Sequence, residues 1–253
     1  MAAATPDGTG STPSEDFRRF MLEHKFGMEE VVTKLSILRD EFTHLHDYNP
    51  IEHVSSRLKS PESLLEKLRR KGLDPHDLPG FPEIRERVTD IAGVRVTCSF
   101  VSDAYRVFDL LTEQTDIRPI EVRDYIAKPK ANGYRSLHAL VEVPVFLSGG
   151  TVPVTVEVQF RTVAMEFWAS LEHKIYYKYR RDIPQELLDR LLGAARTAAT
   201  LDATMEELHQ EVRGLDGLPA GLLGQLREDA ATRAPEGLLE SLRLLGGDPG
   251  TVA

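Results

Sequence analysis

Two neighbouring segments in the middle of the chain alternate between apolar and polar residues. Residues 152–161, VPVTVEVQFR, predict a β-strand, because every second side chain of a strand lies on the same face. One face would hold Val154, Val156, Val158 and Phe160, and the other would hold Thr155, Glu157, Gln159 and Arg161. A second strand, beginning near Gly133, would place Tyr134, Ser136 and His138 on one face. The two polar faces together predict the floor of a polar site.

The remaining pattern predicts helices before and after a β-rich centre. Helical spacing runs from Phe17 to about Asp47 and stops at Asn49-Pro50, and Ser60-Pro61 begins a second helix that ends at Gly72. Further along, the pattern predicts a loop over 74–82, strands over 91–100 and 117–126, and helices over 103–114, 162–179 and 184–212. This order indicates an α+β fold with a central mixed β-sheet of about five strands, flanked by helices and preceded and followed by terminal helices.

The chain divides by composition into three parts. Residues 1–16 are mostly small and polar and include glycine and proline, so they predict a disordered tail. Residues 17–181 hold the helices and strands of a central domain. Residues 182–253 are rich in leucine, alanine, glutamate and arginine and predict a helical C-terminal extension with a loose end.

Charge and cysteine content narrow the class of protein. The net charge of −9 argues against a surface that binds nucleic acid throughout, but it allows a local basic cleft. Cys98 is the only cysteine, so no intramolecular disulfide is expected, and its position in a predicted strand indicates a small buried side chain. No apolar run approaches the roughly 20 residues that span a bilayer. We therefore expect a cytoplasmic protein with neither a membrane nor DNA as a partner.

A basic segment surrounds the start of the second helix. Residues 57–71, RLKSPESLLEKLRRK, hold six basic residues and two acidic ones. A charge run alone is usually a solvated helix face. Its position favours anion binding instead, because Arg57 and Lys59 come just before a helix N-terminus, and Lys67 and Arg70 share a face of that helix. In an acidic protein, such a cluster suits a polyphosphate.

The strand that begins in TDIAGVRV contributes a carboxylate. Strict alternation would separate Asp90 from Arg95, and Gly93 between them would realign the pair if it marks a β-bulge. An aspartate before a strand is otherwise usually a turn former.

The segment KPKANGYRSLH is the most specific stretch of the chain. Asn132-Gly133 predicts a turn. Tyr134 could be a core aromatic and His138 an isolated histidine. Their shared face with Ser136, beside the strand that carries Glu157, favours stacking and phosphate contact instead.

Four motifs, in this order, resemble the synthetase domain of the RelA/SpoT family, the alarmone synthetases of the stringent response. The motifs are IEHVSSRLKSPESLLEKLRRKG, DIAGVRVTCSFVSDAY, DYIAKPKANGYRSLH and VEVQFRTVAMEFWASLEHKIYYK. The resemblance covers about Phe17 to Arg181 and is to the short, stand-alone members, the small alarmone synthetases. The segments NPIEH, RVTCSFVSD and VPVFLS resemble most the RelP/YwaC-type subgroup.

The resemblance implies a nucleotidyltransferase-like domain with GTP pyrophosphokinase activity. The family transfers pyrophosphate from ATP to the ribose 3′-hydroxyl of GDP or GTP, which gives ppGpp or pppGpp and releases AMP, with Mg²⁺ as cofactor. It implies ATP binding by Arg57, Lys59, Lys67, Arg70 and Arg95, catalysis and metal binding by Asp90 and Glu157, and GDP or GTP binding by Arg123, Lys130, Tyr134, His138, Gln159 and Glu166.

Individual roles follow from the same resemblance. Arg57 and Arg95 would sandwich the adenine, Tyr134 would stack on the guanine, and Glu157 would take the proton of the attacking hydroxyl. Glu166 either accepts hydrogen bonds from the guanine edge or is a favourable first-turn charge of its helix.

The resemblance also bears on partners and alternatives. It implies a homotetramer, and RNA is a less favoured partner because the chain is acidic. His46-Asp47 resembles part of the hydrolase motif of longer relatives, but we expect only the end of a helix there and no alarmone hydrolysis. The alternative function is an inactive nucleotide- or RNA-binding module of the same fold, in which some of the reactive residues should have been lost.

Overall fold

The computed structural model describes residues 13–73, 80–179 and 183–216. Their helices and strands follow in the order α1 (Pro13–Leu45), β1 (Ile51–Leu58), α2 (Pro61–Arg70), α3 (Phe81–Arg87), β2 (Ala92–Cys98), α4 (Val101–Thr112), β3 (Arg118–Asp124), β4 (Leu137–Leu147), β5 (Gly150–Thr162), α5 (Val163–Tyr179) and α6 (Gln185–Asp216). The predicted tail over 1–12, most of the predicted loop (74–79) and the predicted loose end (217–253) lie outside these residues.

The five strands form one mixed sheet in the order β1-β2-β5-β4-β3. β2 and β5 are parallel, and the other three neighbouring pairs are antiparallel. Leu147 pairs with Gly150, so only two residues turn the chain from β4 into β5. Gly150 has a φ of +125°, a conformation that glycine adopts far more readily than other residues. The predicted mixed sheet is confirmed.

The apolar face of the sheet packs against α1 and α4. Its core includes the predicted residues Val154, Val156, Val158 and Phe160, all 0% exposed. Val31 and Leu35 of α1 and Val107 and Leu111 of α4 belong to the same cluster. Because these two helices cover one face, the opposite, polar face remains to line the cavities described below.

A second, smaller cluster fixes the segment before β2. It joins α1, α2 and α3 through the buried side chains Phe20, Leu64, Leu68, Ile84, Val88 and Ile91. The predicted start of α2 is confirmed, since Ser60 Oγ accepts a hydrogen bond from the Ser63 amide at 3.2 Å and Pro61 lies in the first turn. This cluster sets the positions of Lys67 and Asp90 at the edge of the sheet.

The sequence pattern missed β1 and α3. β1, IEHVSSRL, does not alternate cleanly, because it lies at the edge of the sheet and, among the described strands, has only β2 beside it. α3 begins at Phe81, inside the predicted loop over 74–82, although proline in its first turn is a helix-start signal.

The boundaries of the terminal helices also differ from the prediction. α1 begins at Pro13 rather than Phe17, with Glu15 and Asp16 in the first turn, where acidic side chains stabilise a helix. Pro13–Leu45 therefore takes in the end of the predicted tail, and His46-Asp47 follow the helix directly.

The chain forms two compact units, the first ending at Thr204 and the second beginning at Met205. The first part of the predicted C-terminal extension, up to Thr204, thus packs within the first unit, where Thr162 Oγ1 donates to Asp202 at 2.9 Å and Trp168 Nε1 donates to the Leu191 carbonyl at 3.0 Å. In the second unit, the described residues are the last turns of α6. Within the described ranges, no helix is both long and apolar enough to cross a bilayer.

Candidate active site

The polar face of the sheet aligns the predicted site residues in two neighbouring rows. Residues paired across adjacent strands lie side by side. The row through Glu157 is Arg57, Gly93, Glu157, Leu140 and Glu121, and the row through Gln159 is Ser55, Arg95, Gln159, His138 and Arg123. Glu157 and Gln159 are two positions apart on β5, so the rows face the same side. The polar floor predicted from alternation is confirmed for Glu157, Gln159 and His138.

Asp90 reaches this floor from the turn before β2, and Gly93 is not a bulge. β2 pairs with β5 without a register shift along its whole length. The predicted bulge is therefore wrong, and none is required, because Asp90 lies outside the strand and alternation does not fix its direction. Gly93 instead leaves the floor open between Arg57 and Glu157. Within the described part of the chain, a Cβ at Gly93 would meet only the Arg57 carbonyl oxygen, at an ordinary 3.6 Å.

Two adjoining cavities open above the sheet. One, of about 370 Å³, is lined by Ser55, Ser56, Arg57, Lys59, Asp90, Gly93, Val94, Arg95, Glu157 and Gln159. The other, of about 400 Å³, is lined by Lys59, Lys67, Arg70, Lys71 and Asp90. All five residues predicted to bind ATP line one cavity or the other, and Lys59 and Asp90 line both. The two predicted metal ligands, Asp90 and Glu157, share the first cavity.

Two lysines hold the Asp90 carboxylate. Lys59 Nζ lies 3.2 Å from Oδ2, and Lys67 Nζ lies 2.6 Å from Oδ1. Burial would raise the pKa of Asp90, but the hydrogen-bonding contact and charge of Lys67, together with Lys59, outweigh it and hold the pKa below its usual value. Lys67 Nζ lies close to Oδ1, but among the residues that the structure describes this buried oxygen has no partner in good hydrogen-bond geometry. A carboxylate oxygen of this kind can accept a cation as a further ligand.

Glu157 is held between Gln159 and His138. Gln159 Nε2 donates to Glu157 Oε2 at 2.7 Å, and His138 Nδ1 lies 3.4 Å from Oε1. Burial acts to raise the pKa of Glu157, but the hydrogen bond and charge of His138 and the hydrogen bond from Gln159 keep the pKa below its ordinary value. Glu157 is therefore a carboxylate at neutral pH and can accept a proton or a cation.

Tyr134 and His138 are linked directly, although they do not share a strand face as predicted. β4 begins at Leu137, and Ser136, which is 0% exposed, donates from Oγ to the Phe160 carbonyl at 3.0 Å. The prediction that Ser136 lines the site is wrong, because its hydroxyl is used to dock the loop onto β5. Tyr134 reaches the site from that loop instead, with its hydroxyl oxygen 2.7 Å from His138 Nε2.

The loop that carries Tyr134 is braced by two helices. Asn132 Oδ1 accepts from the Tyr134 amide at 3.2 Å, and its Nδ2 donates to Glu172 of α5 at 3.0 Å. Gly133 has a φ of +88°, as the predicted turn requires, and a Cβ there would lie 2.4 Å from the Ala195 side chain of α6. The C-terminal helices therefore position the tyrosine. The hydrogen bond from Asn132 also gives Glu172 a structural role, which the sequence did not indicate.

Lys130 and Arg123, the other two basic residues predicted to bind GDP or GTP, each contact neighbouring side chains. Lys130 Nζ lies 4.7 Å from the centroid of the Tyr134 ring and 4.5 Å from that of Tyr125. Arg123 forms two hydrogen bonds to Glu121, both at 2.7 Å, and lines a small cavity beside His138 and Glu157.

Arg161 is a site residue whose role the sequence pattern did not indicate, although alternation placed it on the polar face. Its side chain is buried beneath Tyr134 and donates to the Tyr134 hydroxyl at 2.7 Å, to Gln159 Oε1 at 2.8 Å and to Glu166 Oε2 at 2.7 Å. The other oxygen of Glu166 accepts from Arg95 Nη1 at 2.6 Å. Glu166 is thus more than a first-turn charge of α5.

Comparison with known proteins identifies the family. The family profile described as "Region found in RelA / SpoT proteins" matches residues 56–182. GTP pyrophosphokinase YwaC from Bacillus subtilis is 47% identical over 201 residues, which cover 79% of this chain and 94% of that relative. This chain therefore belongs to the RelA/SpoT family, as its motifs predicted.

Solved structures agree with this assignment. The small alarmone synthetase 1 of Bacillus subtilis bound to its product pppGpp is 39% identical and has a TM-score of 0.72, over 79% of this chain and 99% of that one. The same protein bound to AMPCPP has a TM-score of 0.66 at 35% identity, over 79% of this chain and 98% of that one. The α+β fold with its five-stranded mixed sheet is therefore that of small alarmone synthetases.

Proposed function

We propose that this protein is a GTP pyrophosphokinase that transfers pyrophosphate from ATP to the ribose 3′-hydroxyl of GDP or GTP and makes ppGpp or pppGpp and AMP. The observation that carries the proposal is that two carboxylates, Asp90 and Glu157, line one cavity together with a group of basic side chains. Such a transfer depends on positioning and charge neutralisation more than on covalent chemistry by the protein. The similarity to a GTP pyrophosphokinase and to a small alarmone synthetase bound to its product pppGpp supports the same activity.

The ATP would bind along the two adjoining cavities. Arg57 and Arg95 line the first cavity and occupy neighbouring rows of the sheet, where their planar guanidinium groups can stack on the adenine. Lys59, Lys67 and Arg70 line the second cavity and would hold the phosphates.

Mg²⁺ is the proposed cofactor, with Asp90 and Glu157 as its protein ligands. Both carboxylates line one cavity, and Oδ1 of Asp90 is buried there. This arrangement suits a small, hard cation that binds one or two carboxylates and takes its other ligands mostly from water and phosphate. Lys59 and Lys67 now neutralise Asp90, and we propose that they transfer to the ATP phosphates when nucleotide and metal bind together. When bound, Mg²⁺ would neutralise the charge that develops on the transferred group.

The guanosine nucleotide would bind on the side of Tyr134. The ring would stack on the guanine, and Lys130, which now lies over that ring, would move to the acceptor phosphates with Arg123. His138 and Gln159 line the same floor, and Glu166 retains lone pairs that can accept from the guanine edge.

The chain's own groups would then handle the proton of the reaction. Glu157 is ionised and would take the proton from the 3′-hydroxyl while the hydroxyl oxygen, O3′, attacks the β-phosphorus of ATP. The new bond joins O3′ to the β-phosphorus, and the bond from that phosphorus to the bridging oxygen of the AMP moiety breaks. Gln159 and His138 hold the carboxylate in place for this step.

We also propose that the protein assembles as a homotetramer in the cytoplasm. On α5, the apolar side chains of Val163, Phe167 and Leu171 recur every four residues and are 56%, 67% and 40% exposed. A helical stripe of this kind is suited to burial against another copy of the chain. Light scattering should give the mass of a tetramer, and Phe167→Glu should lower the mass.

The activity is tested by product formation from labelled ATP, Mg²⁺ and GMP, GDP or GTP, each in turn. Wild type should make a 3′-pyrophosphorylated nucleotide, and Glu157→Gln should lose about 10²-fold or more in rate, as expected when a general base is removed. Glu142→Gln is a matched control, because Glu142 lies on the same sheet but pairs with Arg118 outside the cavity. Nucleotide binding by wild type without any product would instead indicate the inactive binding module.

A further inference from the structure

One carboxylate joins the two halves of the site. Glu166 accepts from Arg95 Nη1 at 2.6 Å through Oε1 and from Arg161 Nη1 at 2.7 Å through Oε2. Arg95 lines the cavity proposed for ATP, whereas Arg161 donates to the hydroxyl of Tyr134 on the acceptor side. A continuous path of charged hydrogen bonds therefore runs from Arg95 to Tyr134.

Arg161 is held more tightly than the other cations of the site. Its side chain is 6% exposed, compared with 41% for that of Arg95. Three acceptors on three residues share its guanidinium, and its carbon lies 5.2 Å from the centroid of the Tyr134 ring. A buried cation with fixed partners is not available to follow a phosphate. Its contacts instead fix the position of the tyrosine.

We infer that Glu166 and Arg161 couple the two nucleotide sites, so that occupation of one site strengthens binding at the other. Arg161 is a positioning residue for Tyr134. Glu166 contacts both arginines, so that when Arg95 becomes ordered, Arg161 becomes ordered as well. This inference rests on the proposed function for the identity of the two nucleotides.

The physical basis is the shared cost of ordering side chains. Arg95 is partly exposed and loses conformational freedom when an adenine stacks on it. Glu166 binds Arg95 and Arg161 at once, so fixing Arg95 also fixes the carboxylate that orients Arg161. Tyr134 then loses less conformational freedom when the guanine binds, and the entropic cost of binding the guanosine nucleotide is lower. By thermodynamic linkage, the acceptor must strengthen ATP binding by the same factor.

The coupling is measured without turnover. Calorimetric titration of GDP into the full chain, with and without saturating α,β-methylene-ATP, gives two dissociation constants whose ratio is the coupling factor. The methylene group replaces the oxygen of the bond that the reaction would break. For wild type we expect a ratio of about fivefold or more, at the lower end of typical allosteric coupling.

Glu166→Gln is the principal variant. It keeps the size of the side chain but removes the charge that binds both arginines, and the side chain is 26% exposed, so the substitution should leave the fold intact. The ratio should fall to within about twofold of unity, which is the usual error of additivity for independent sites. Arg161→Lys should also remove the coupling and weaken GDP binding, because an ammonium group cannot span the three acceptors.

The control is Glu83→Gln, which breaks the exposed ion pair with Arg87 on α3 and should leave the ratio unchanged. A wild-type ratio of unity would overturn the inference. It would also be overturned by a Glu166→Gln protein that binds each nucleotide more weakly but keeps the wild-type ratio, since that result indicates a merely structural residue. Failure of the proposed activity is seen separately, as absence of product with ATP itself.

Discussion

The hydroxyl oxygen of Tyr134 lies 2.7 Å from Nε2 of His138 and also accepts a hydrogen bond from Arg161. Because Arg161 supplies one hydrogen bond to this oxygen, the tyrosine proton is free to be donated to Nε2. In a neutral imidazole that accepts this proton, the ring's own proton is on Nδ1, which faces Glu157 at 3.4 Å, and a protonated imidazole presents the same Nδ1–H group to Glu157. The residue proposed to stack on the base is thus connected to the residue proposed to take the proton.

Removal of the Tyr134 hydroxyl separates its two roles. Tyr134→Phe keeps the ring and its contact with Arg161, so the KM for GDP should rise by only a few-fold, from loss of the hydrogen bond from Arg161, whereas kcat should fall about tenfold, because the hydrogen bond of about 1.4 kcal/mol to His138 is also lost. Tyr134→Leu also removes the ring and should raise the KM for GDP by about tenfold to a hundredfold, the range expected for one stacked base. Steady-state kinetics with varied GDP decides. Equal kinetic effects of the two substitutions would contradict this account.

The lysines that hold Asp90 should compete with a divalent cation in the absence of nucleotide. Lys67→Met removes the charge 2.6 Å from Oδ1, so Mn²⁺ should bind the free protein several-fold more tightly, while ATP should bind more weakly. Electron paramagnetic resonance titration of Mn²⁺ measures the first effect. Lys71→Met is the control, since Lys71 lines the same cavity but is not paired with Asp90. Weaker Mn²⁺ binding by Lys67→Met would show that the lysine assists the metal site.

Glycine should be required at position 133 for two reasons, its left-handed backbone conformation and its close approach to α6. Gly133→Ala combines a φ of +88° with a Cβ placed 2.4 Å from Ala195, so it should destabilise the protein by more than the about 1–2 kcal/mol of a left-handed residue and should weaken GDP binding. Gly72→Ala is the matched control, because its φ is +79° but no atom of the described residues lies within 4 Å of the added Cβ. Urea unfolding compares the two. Equal losses of stability would mean that packing against α6 does not matter.

His24 should make stability depend on pH. Burial lowers its pKa from 6.5, with a smaller contribution from the charge of Arg85, against the raising effects of its bond to the Phe20 carbonyl and of Glu23. The unfolded chain therefore takes up a proton near pH 6.5 while the folded chain does not. Stability should be unaffected above that pH and should fall as the pH drops below it, by at most about 1.4 kcal/mol per pH unit.

The pH effect is checked by urea unfolding of His24→Gln between pH 5 and 8. The variant should lose the part of the pH dependence that arises between pH 6.5 and the folded pKa of His24. His44→Gln is the control, since His44 makes the same kind of bond to a backbone carbonyl four residues earlier in α1 but is exposed. An unchanged pH profile in His24→Gln would contradict the assignment.

Alternation along β5 was sufficient to predict one buried and one reactive face, because the period of a strand fixes which side chains share a side. The strand register then brings Arg95, Gln159 and His138 together. The spacing of Lys67 and Arg70 likewise predicted their shared cavity. These results depend on local geometry, which the sequence determines directly.

The parts that could not be predicted depend on how distant elements approach each other. Asp90 and Lys67 meet because a small cluster packs α2 beside the turn before β2, and no periodicity encodes that contact. Glu166 meets Arg95 across 71 residues of sequence only because α5 begins at the end of β5. Arg161 was visible on the polar face, but its role emerges only from its three partners.

Pyrophosphate transfer is tested by following each phosphate of ATP. The protein is incubated with GDP, Mg²⁺ and ATP labelled either at the α- or at the γ-phosphate, and the products are separated by chromatography. The γ-label should appear in ppGpp and the α-label in AMP, in equal amounts and at equal rates. Release of the γ-label as inorganic phosphate, with no label on the guanosine nucleotide, would contradict pyrophosphate transfer.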